Sequence, residues 1–304
     1  MAAPPKGVQR NFPLARLTTV RTGGAADWFA RPGDEASLVA ALRWAGAEGL
    51  PIGVIGSGSN LLVADDGFHG LALKLDGELA EIVRDGERVI CGGGYRFPSA
   101  AAKTAGWGLS GLEFGVNIPG TAGGAVRMNA NAYGGQLAQV LEWVDVCTAA
   151  GTDRRGPDQL GFEYRKSNLK PGEVVARASF HLHPADPERI KATLADMRDR
   201  RRLAQPSGIK TFGSTFKNPD GERAMGRSSG QLLQAAGCLG LRQGGVRFSE
   251  KHANFVENDR DGTTADVLEL MAEGRRRVHE RFGVVLEPEV QILGEVEWPA
   301  GWDL

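Results

Sequence analysis

Residues 111–135 read GLEFGVNIPGTAGGAVRMNANAYGG, and the reading of this stretch decides the reading of the rest. It is rich in glycine and alanine and carries one acidic and one basic side chain, Glu113 and Arg127. A backbone this bare turns where a Cβ would clash and lies directly against a flat ligand. Pro119 fixes the turn before Gly120, and Gly123 and Gly124 keep the next turn free of side chains. Asn129, Asn131 and Tyr133 set hydrogen-bonding groups beside that backbone. An isolated glycine cluster is usually a surface loop. Here Val116, Ile118, Ala122, Ala125, Val126 and Met128 sit among the glycines, so the segment reads as half buried. A half-buried, nearly uncharged, glycine-rich backbone suits close contact with a large planar cofactor.

Towards the N-terminus, residues 52–55 form a short apolar strand that runs into Gly56-Ser57-Gly58-Ser59-Asn60. Consecutive backbone N–H groups around glycines make an anion-binding nest, and the serine and asparagine side chains add donors. A dinucleotide fingerprint of the Rossmann kind competes, because Gly56-x-Gly58 follows a strand and Asp76 lies 20 residues on. Leu61 stands where the third glycine belongs, and Leu61–Val63 before Asp65-Asp66-Gly67 reads as strand and turn. A Rossmann fingerprint opens a helix instead. The pattern is strand, nest, strand.

The flanking elements fit a mixed architecture. Residues 1–17 read as a loose arm. Leu38, Val39, Leu42 and Ala45 recur at helical spacing over 35–48, stopped by Gly49 and Pro51. Short strands are expected at 71–75, 80–83 and 88–91, a helix at 97–105, and strands at 140–148 and 174–183, the last with period-two alternation. Residues 187–204 read as a basic amphipathic helix ended by Gln205-Pro206, where a domain boundary is expected. Beyond it come a short helix at 230–238, a long one at 263–282 and a final strand at 284–293. Short strands with scattered helices argue α+β, not a doubly wound parallel sheet.

Composition bounds the function. With 304 residues, two domains of ~150 residues each are expected. The chain is 41% hydrophobic and 24% charged, and 36 basic residues balance 37 acidic ones. No nucleic-acid surface, membrane patch, signal peptide or membrane span is indicated. Cys91, Cys147 and Cys238 are odd in number and widely spaced, which points away from a disulfide framework or a zinc site; no metal is expected, and a reducing, cytoplasmic compartment is.

Three further stretches carry chemistry-bearing side chains. Phe162-Glu163-Tyr164-Arg165-Lys166-Ser167 would pass alone as a charged loop. In Gly213-Ser214-Thr215-Phe216-Lys217-Asn218-Pro219, a serine between glycine and threonine is most often a turn former. Glu289 sits between apolar residues of the final strand, where a buried carboxylate is costly without a partner or a task.

These motifs resemble the MurB family of UDP-N-acetylenolpyruvoylglucosamine reductases, and the resemblance covers about residues 18 to 295. IPGTAGGAVRMNANAYGG matches that family's flavin-site segment, with Asn131 where a glycine is usual, and GSTFKNP matches its proton-donor motif. The resemblance implies a two-lobed FAD-binding domain of the vanillyl-alcohol-oxidase-like fold at 18–204 (lobes about 18–76 and 77–204). A substrate-binding domain is implied at 205–304, its last strand returning to the active site. It implies non-covalent FAD held by Gly56, Ser57, Gly58, Ser59, Asn60, Leu61, Thr121, Gly123, Gly124 and Asn129, with NADPH as co-substrate. Ser214 is the implied proton donor, Arg165 the implied active-site arginine and Glu289 the implied catalytic glutamate. Tyr164, Lys217 and Asn218 are implied contacts to a UDP-sugar. His252, in the matching stretch SEKHANFV, is either a satisfied core histidine or a further substrate contact. Gln231 replaces a bulky or basic residue, and no role is carried to it. No tyrosine follows Tyr164, as in type II members, which lack a substrate-capping tyrosine loop. A cytoplasmic monomer serving peptidoglycan synthesis is expected. The competing class is an FAD oxidase of the same fold acting on a sugar or alcohol; such enzymes often link flavin covalently through His or Cys, and the glycine-rich segment has neither.

Overall fold

The computed structural model describes residues 2–220 and 222–302. The chain forms two compact units. Unit 1 comprises Met1–Phe12, Asp27–Ser57 and His69–Arg201; unit 2 comprises Pro13–Ala26, Gly58–Phe68 and Arg202–Leu304. The chain leaves unit 1 in the middle of the Gly56–Asn60 turn. A single cut near residue 204 therefore misses two short N-terminal stretches that pack with the C-terminal hundred residues.

Unit 1 is built on a five-stranded antiparallel sheet. Its order is Gly151–Arg155, Leu141–Thr148, Val174–His181, Arg88–Gly92, Ile82–Asp85. One core packs Val89, Cys91, Val144, Ala178 and Phe180 against the helix Phe97–Gly106 and the glycine-rich segment's Ala122, Ala125 and Val126. A second core packs Cys147, Val174 and Ala176 with Leu38, Leu42 and Trp44 of the helix Glu35–Ala47. Asp34 starts that helix by accepting from the Ser37 N–H at 2.7 Å, an N-cap that satisfies one of the first turn's open donors. A four-stranded sheet contains Ile52–Val54 paired parallel to Phe68–Leu73. Residues 9–13, expected as part of a loose arm, form one of its strands, Gln9–Pro13. That strand is mostly exposed, so no apolar alternation marked it. Phe12 stacks on Phe29 at 3.9 Å between ring centroids.

Unit 2 packs the helix Thr264–Phe282 and the short helix Ser229–Ala235 with a three-stranded sheet, Arg242–Gln243, Val246–Phe248 and Val256–Asn258. Val20 and Leu62 join Phe212, Phe216, Phe248, Met271 and Val290 in its core, which is why those two stretches belong here. Thr263 and Asp266 form a capping box at the long helix's start. Gly283 ends it in the left-handed conformation at φ 65°, its N–H donating to the His279 carbonyl at 2.8 Å. Gln231 acquires a local role in the same way: its Oε1 accepts from the Ser228 N–H at 2.8 Å, closing a capping box with Ser228. The final strand is shorter than 284–293. Only Gln291–Leu293 is regular, paired parallel to Leu61–Val63. Pro288, which has no N–H, limits the upstream stretch to an isolated bridge with Phe216.

Candidate active site

In unit 1 the glycine-rich segment contains a short helix, Ala122–Arg127, which a turn-only reading missed. Thr121 caps it, accepting from the Gly124 N–H at 3.4 Å. The helix lies against the sheet because its second residue has no side chain: a Cβ on Gly123 would sit 3.0 Å from the Gly93 carbonyl oxygen. A Cβ on Gly56 would meet Thr121 Oγ1 at 2.7 Å, so the strand-end glycine and the helix cap are in near contact. Lys74 donates its ammonium to the Gly56 carbonyl, and burial lowers its pKa. Gly120 and Gly124 have open space or ordinary contact distance where a side chain would stand.

Asn129 is buried and held at φ 38°. Its Nδ2 donates to the Glu163 carbonyl at 3.1 Å, while its Oδ1 is buried with no hydrogen-bond partner. A buried amide oxygen left open costs roughly 1–3 kcal/mol unless a donor arrives. A flavin ring presents such a donor, so the bare backbone, the capped helix start and the orphaned acceptor fit FAD. Asn131, where a glycine is usual, lies in the two-residue strand Asn131–Ala132 paired with Gly135–Gln136. Extended backbone accepts an asparagine without strain.

Arg165 sits in a two-residue turn, Tyr164-Arg165, closed by reciprocal bonds between Glu163 and Lys166. Its φ is 56°, at a turn position where glycine or asparagine is the usual occupant. An arginine there costs on the order of 1 kcal/mol of backbone strain. Its Nη1 donates to the Asn131 carbonyl at 3.2 Å, and its guanidinium lies 5.5 Å from the Tyr164 ring centroid. The turn is anchored at its far side by Ser167, whose hydroxyl donates to the Arg127 carbonyl at 2.8 Å. Tyr164 is exposed.

In unit 2 two extended segments run beside each other. The Glu289 N–H donates to the Thr215 carbonyl and the Lys217 N–H to the Glu287 carbonyl, both at 2.9 Å. This brings the Ser214 and Glu289 segments together; Ser214 itself bridges to Phe255. Glu289 is half buried, not enclosed as its apolar neighbours suggested, because only Val290 beside it turns fully into the core. Asn60 clamps the same strand: its carbonyl accepts from the Gln291 N–H at 3.1 Å and its Nδ2 donates to the Glu289 carbonyl at 3.2 Å. Gly58, at φ 66°, is required by packing, since a Cβ would lie 2.0 Å from the Leu17 carbonyl oxygen. Ser59 and Leu61 flank Asn60, and the Ser59 carbonyl lies 3.5 Å from where a Gly213 Cβ would be.

The other expected substrate contacts have partners in unit 2. Lys217 Nζ lies 3.3 Å from Glu287 Oε2, and the Lys217 carbonyl accepts from the Ser229 hydroxyl. Asn218 Oδ1 accepts from the Ser229 N–H at 3.1 Å. His252 Nδ1 accepts from the Asn254 N–H at 3.2 Å, its ring meets Phe255 edge-on, and burial lowers its pKa. A residue that sequence reasoning passed over is Asn254. It is buried and makes a two-point clamp on Phe216: Oδ1 accepts from the Phe216 N–H at 2.9 Å and Nδ2 donates to its carbonyl at 2.8 Å. Its own carbonyl accepts from the Thr215 N–H at 2.8 Å. The signal lay inside SEKHANFV, next to the histidine that drew attention. The three cysteines are free and buried, with Cys91 pushed up to about 12 by desolvation, so none is a reactive thiolate.

Residues 26–155 match the FAD binding domain family, and the chain is a flavoprotein of that class. Residues 205–293 match the UDP-N-acetylenolpyruvoylglucosamine reductase C-terminal domain. The chain is 43% identical over 285 residues to the UDP-N-acetylenolpyruvoylglucosamine reductase of Rubrobacter xylanophilus, covering 93% of this chain and 94% of that one. It is 43% identical over 296 residues to reductase 2 of Symbiobacterium thermophilum, covering 97% and 94%. Among solved structures, the MurB enzyme of Thermus caldophilus superposes with a TM-score of 0.80 at 36% identity, covering 96% of this chain and 99% of that one. The chain belongs to the UDP-N-acetylenolpyruvoylglucosamine reductase family.

Proposed function

We infer that the chain is an FAD-dependent UDP-N-acetylmuramate dehydrogenase. It reduces the enolpyruvyl ether of UDP-N-acetylglucosamine to UDP-N-acetylmuramate with NADPH, a step of peptidoglycan precursor synthesis. Residues 18–204 are read as the FAD-binding part and 205–304 as the substrate-binding part; the 205–293 match supports the second. Gly56, Ser57, Gly58, Ser59, Asn60, Leu61, Thr121, Gly123, Gly124 and Asn129 are read as the residues that would hold FAD, which would supply hydride chemistry between NADPH and the terminal CH₂ carbon of the enolpyruvyl group.

The observation that carries the reading of the chemistry is the pairing, within unit 2, of the Ser214 and Glu289 segments. Hydride addition leaves negative charge on C2, spread into the adjoining carboxylate. Ser214 then donates its hydroxyl proton to C2. A hydroxyl is a weak acid, so this works only against a strongly basic carbon and with the serine rigidly held. The Thr215 and Phe216 bonds to Asn254 and Glu289 support that rigidity. Glu289 shares a proton with the substrate carboxylate. Arg165 neutralises the growing charge through a planar, permanently cationic pair of donors, and its strained turn supports a functional reason for arginine there. Tyr164, Lys217, Asn218 and His252 are read as substrate contacts. Because Lys217 and Asn218 already serve Glu287 and Ser229, they act through groups held in place before binding.

No described helix is long and apolar enough to cross a membrane. NADPH and nucleotide sugars are metabolites of the cytoplasm, which supports that compartment. A monomer is proposed, and light scattering at 32.4 kDa per chain checks it. The decisive experiment is anaerobic stopped-flow spectroscopy. Flavin absorbance should bleach with NADPH and return with the enolpyruvyl sugar nucleotide. Bleaching that only oxygen reverses, with no response to the sugar nucleotide, would favour the oxidase reading instead.

A further inference from the structure

Outside the site, three metal-ligating side chains converge on the surface of unit 1. We propose that Glu87, His181 and His183 form a binding site for a divalent transition-metal ion of the zinc type. One ligand atom from each lies within 4.8 Å of the other two.

The backbone brings this about. His181 closes the strand Val174–His181 and His183 opens the two-residue strand His183–Pro184. Leu182 between them is fully buried, so in extended chain both imidazoles turn to the opposite, solvent face. The His181 N–H is fixed by the Val140 carbonyl at 2.9 Å, and His183 is paired with Ser110. Glu87 lies in the tight turn between Ile82–Asp85 and Arg88–Gly92, which Gly86 allows by adopting φ 62°. The Glu87 carbonyl accepts from the Leu182 N–H at 3.0 Å, and His181 pairs with Arg88. Sheet hydrogen bonds thus hold all three main-chain positions, and only side-chain rotamers need adjust.

The rings stand edge to face with centroids 5.6 Å apart, and His181 Nε2 is 3.9 Å from Glu87 Oε2. At that distance an exposed carboxylate and imidazole contribute little by themselves. Tetrahedral zinc holds N and O donors at about 2.1 Å, which sets them ~3.4 Å apart. Exposed side chains close that gap by small rotations. Two imidazoles and one carboxylate suit zinc, nickel or copper; magnesium and calcium demand oxygen-rich shells. Three protein ligands leave a fourth position for water. The ion would tie the 181–183 stretch to the 86–87 turn.

The test uses the full-length, tag-free holoenzyme, stripped with chelator and titrated with zinc chloride by calorimetry, with magnesium chloride as control. The expected result is one equivalent of zinc bound at micromolar affinity and none of magnesium. His181→Gln and His183→Gln should each weaken binding at least tenfold, Glu87→Gln less, with NADPH-dependent turnover unchanged in all three. Cobalt added in place of zinc should give the visible absorption of a tetrahedral site. No saturable uptake by the wild type would overturn the proposal. So would uptake that survives in both histidine variants, or an equal response to magnesium.

Discussion

The residues proposed for the chemistry are held by opposite means in the two units. In unit 2 the Ser214 and Glu289 segments are joined by isolated bridges and clamped by side-chain amides: Asn254 on Phe216, Asn60 on the main chain of Glu289 and Gln291. In unit 1 the Arg165 turn and the glycine-rich segment are held in sparsely populated backbone shapes. Asn129, Tyr133 and Arg165 all have positive φ. Strain of this kind persists only where surrounding bonds over-determine it. Those bonds come from Asn131, Arg127, Glu163 and Met197 carbonyls. In the proposed chemistry a clamp would position the weak acid Ser214 at low conformational cost, and a strained turn would aim the Arg165 cation.

The largest expected effect separates the clamped serine from everything else. Ser214→Ala should reduce its flavin with NADPH at close to the normal rate, yet slow reoxidation by the enolpyruvyl substrate ~10⁴-fold, roughly 5 kcal/mol of barrier. Equal slowing of both half-reactions would make Ser214 a turn former.

Arg165 tests the strained side in two ways. Arg165→Lys keeps the charge but loses the planar pair of donors, and reoxidation should fall about 10²-fold, or ~2.7 kcal/mol. Arg165→Gly should be inactive in that half-reaction yet more resistant to urea than Arg165→Ala, because both lose the side-chain contacts and only glycine adopts φ 56° without penalty. A glycine variant no more stable than the alanine variant would show that the turn is not strained.

Asn254→Ala sharpens the other side. It strips the buried Phe216 N–H and carbonyl of their partner, and the urea midpoint should report a loss of about 2 kcal/mol. Substrate-dependent reoxidation should slow more than NADPH-dependent reduction. An unchanged ratio of the two rates would reduce Asn254 to a purely structural role.

The smallest effect concerns what supports the strained half. The Glu173 carbonyl accepts from Arg127, whose own carbonyl holds Ser167. The Glu173 carboxyl pKa is lowered, first by its hydrogen bonds from Arg155. A carboxylate with a depressed folded-state pKa stabilises fully above its unfolded value, about 4.3, and loses that contribution as pH falls through the folded value. Glu173→Gln should therefore be less stable than wild type by about 1 kcal/mol at neutral pH. Thermal unfolding should show the two converging in acid below both values; a gap that persists there would point to packing.

Much of this was legible in the chain. Apolar spacing and the Gln205-Pro206 stop located the helix Pro187–Ala204, and the helix expected at 263–282 is observed as Thr264–Phe282, Thr263 serving as its cap. The α+β class followed from short strands among scattered helices, and GSTFKNP and IPGTAGGAVRMNANAYGG pointed to the family. These are local signals: side-chain spacing, capping hydroxyls, glycine where no Cβ fits.

Tertiary structure alone decided the rest. The Gln9–Pro13 strand is mostly exposed and carries no alternation, so only its sheet neighbours define it. The helix Ala122–Arg127 contains two adjacent glycines that disfavour a helix by propensity, and it is seen only in the fold, where Gly123 packs so near Gly93 that a Cβ would lie 3.0 Å from its carbonyl oxygen. Residues 13–26 and 58–68 join the C-terminal hundred because Val20 and Leu62 bury into that core. The parallel pairing of Leu61–Val63 with Gln291–Leu293 leaves no trace in either stretch. Asn254, and the clamping bonds of Asn60, became visible only through the main-chain groups they hold, because a clamp is a relation between residues distant along the chain. Sequence spacing records what each residue prefers alone; which distant backbone groups it must satisfy is set when the chain closes.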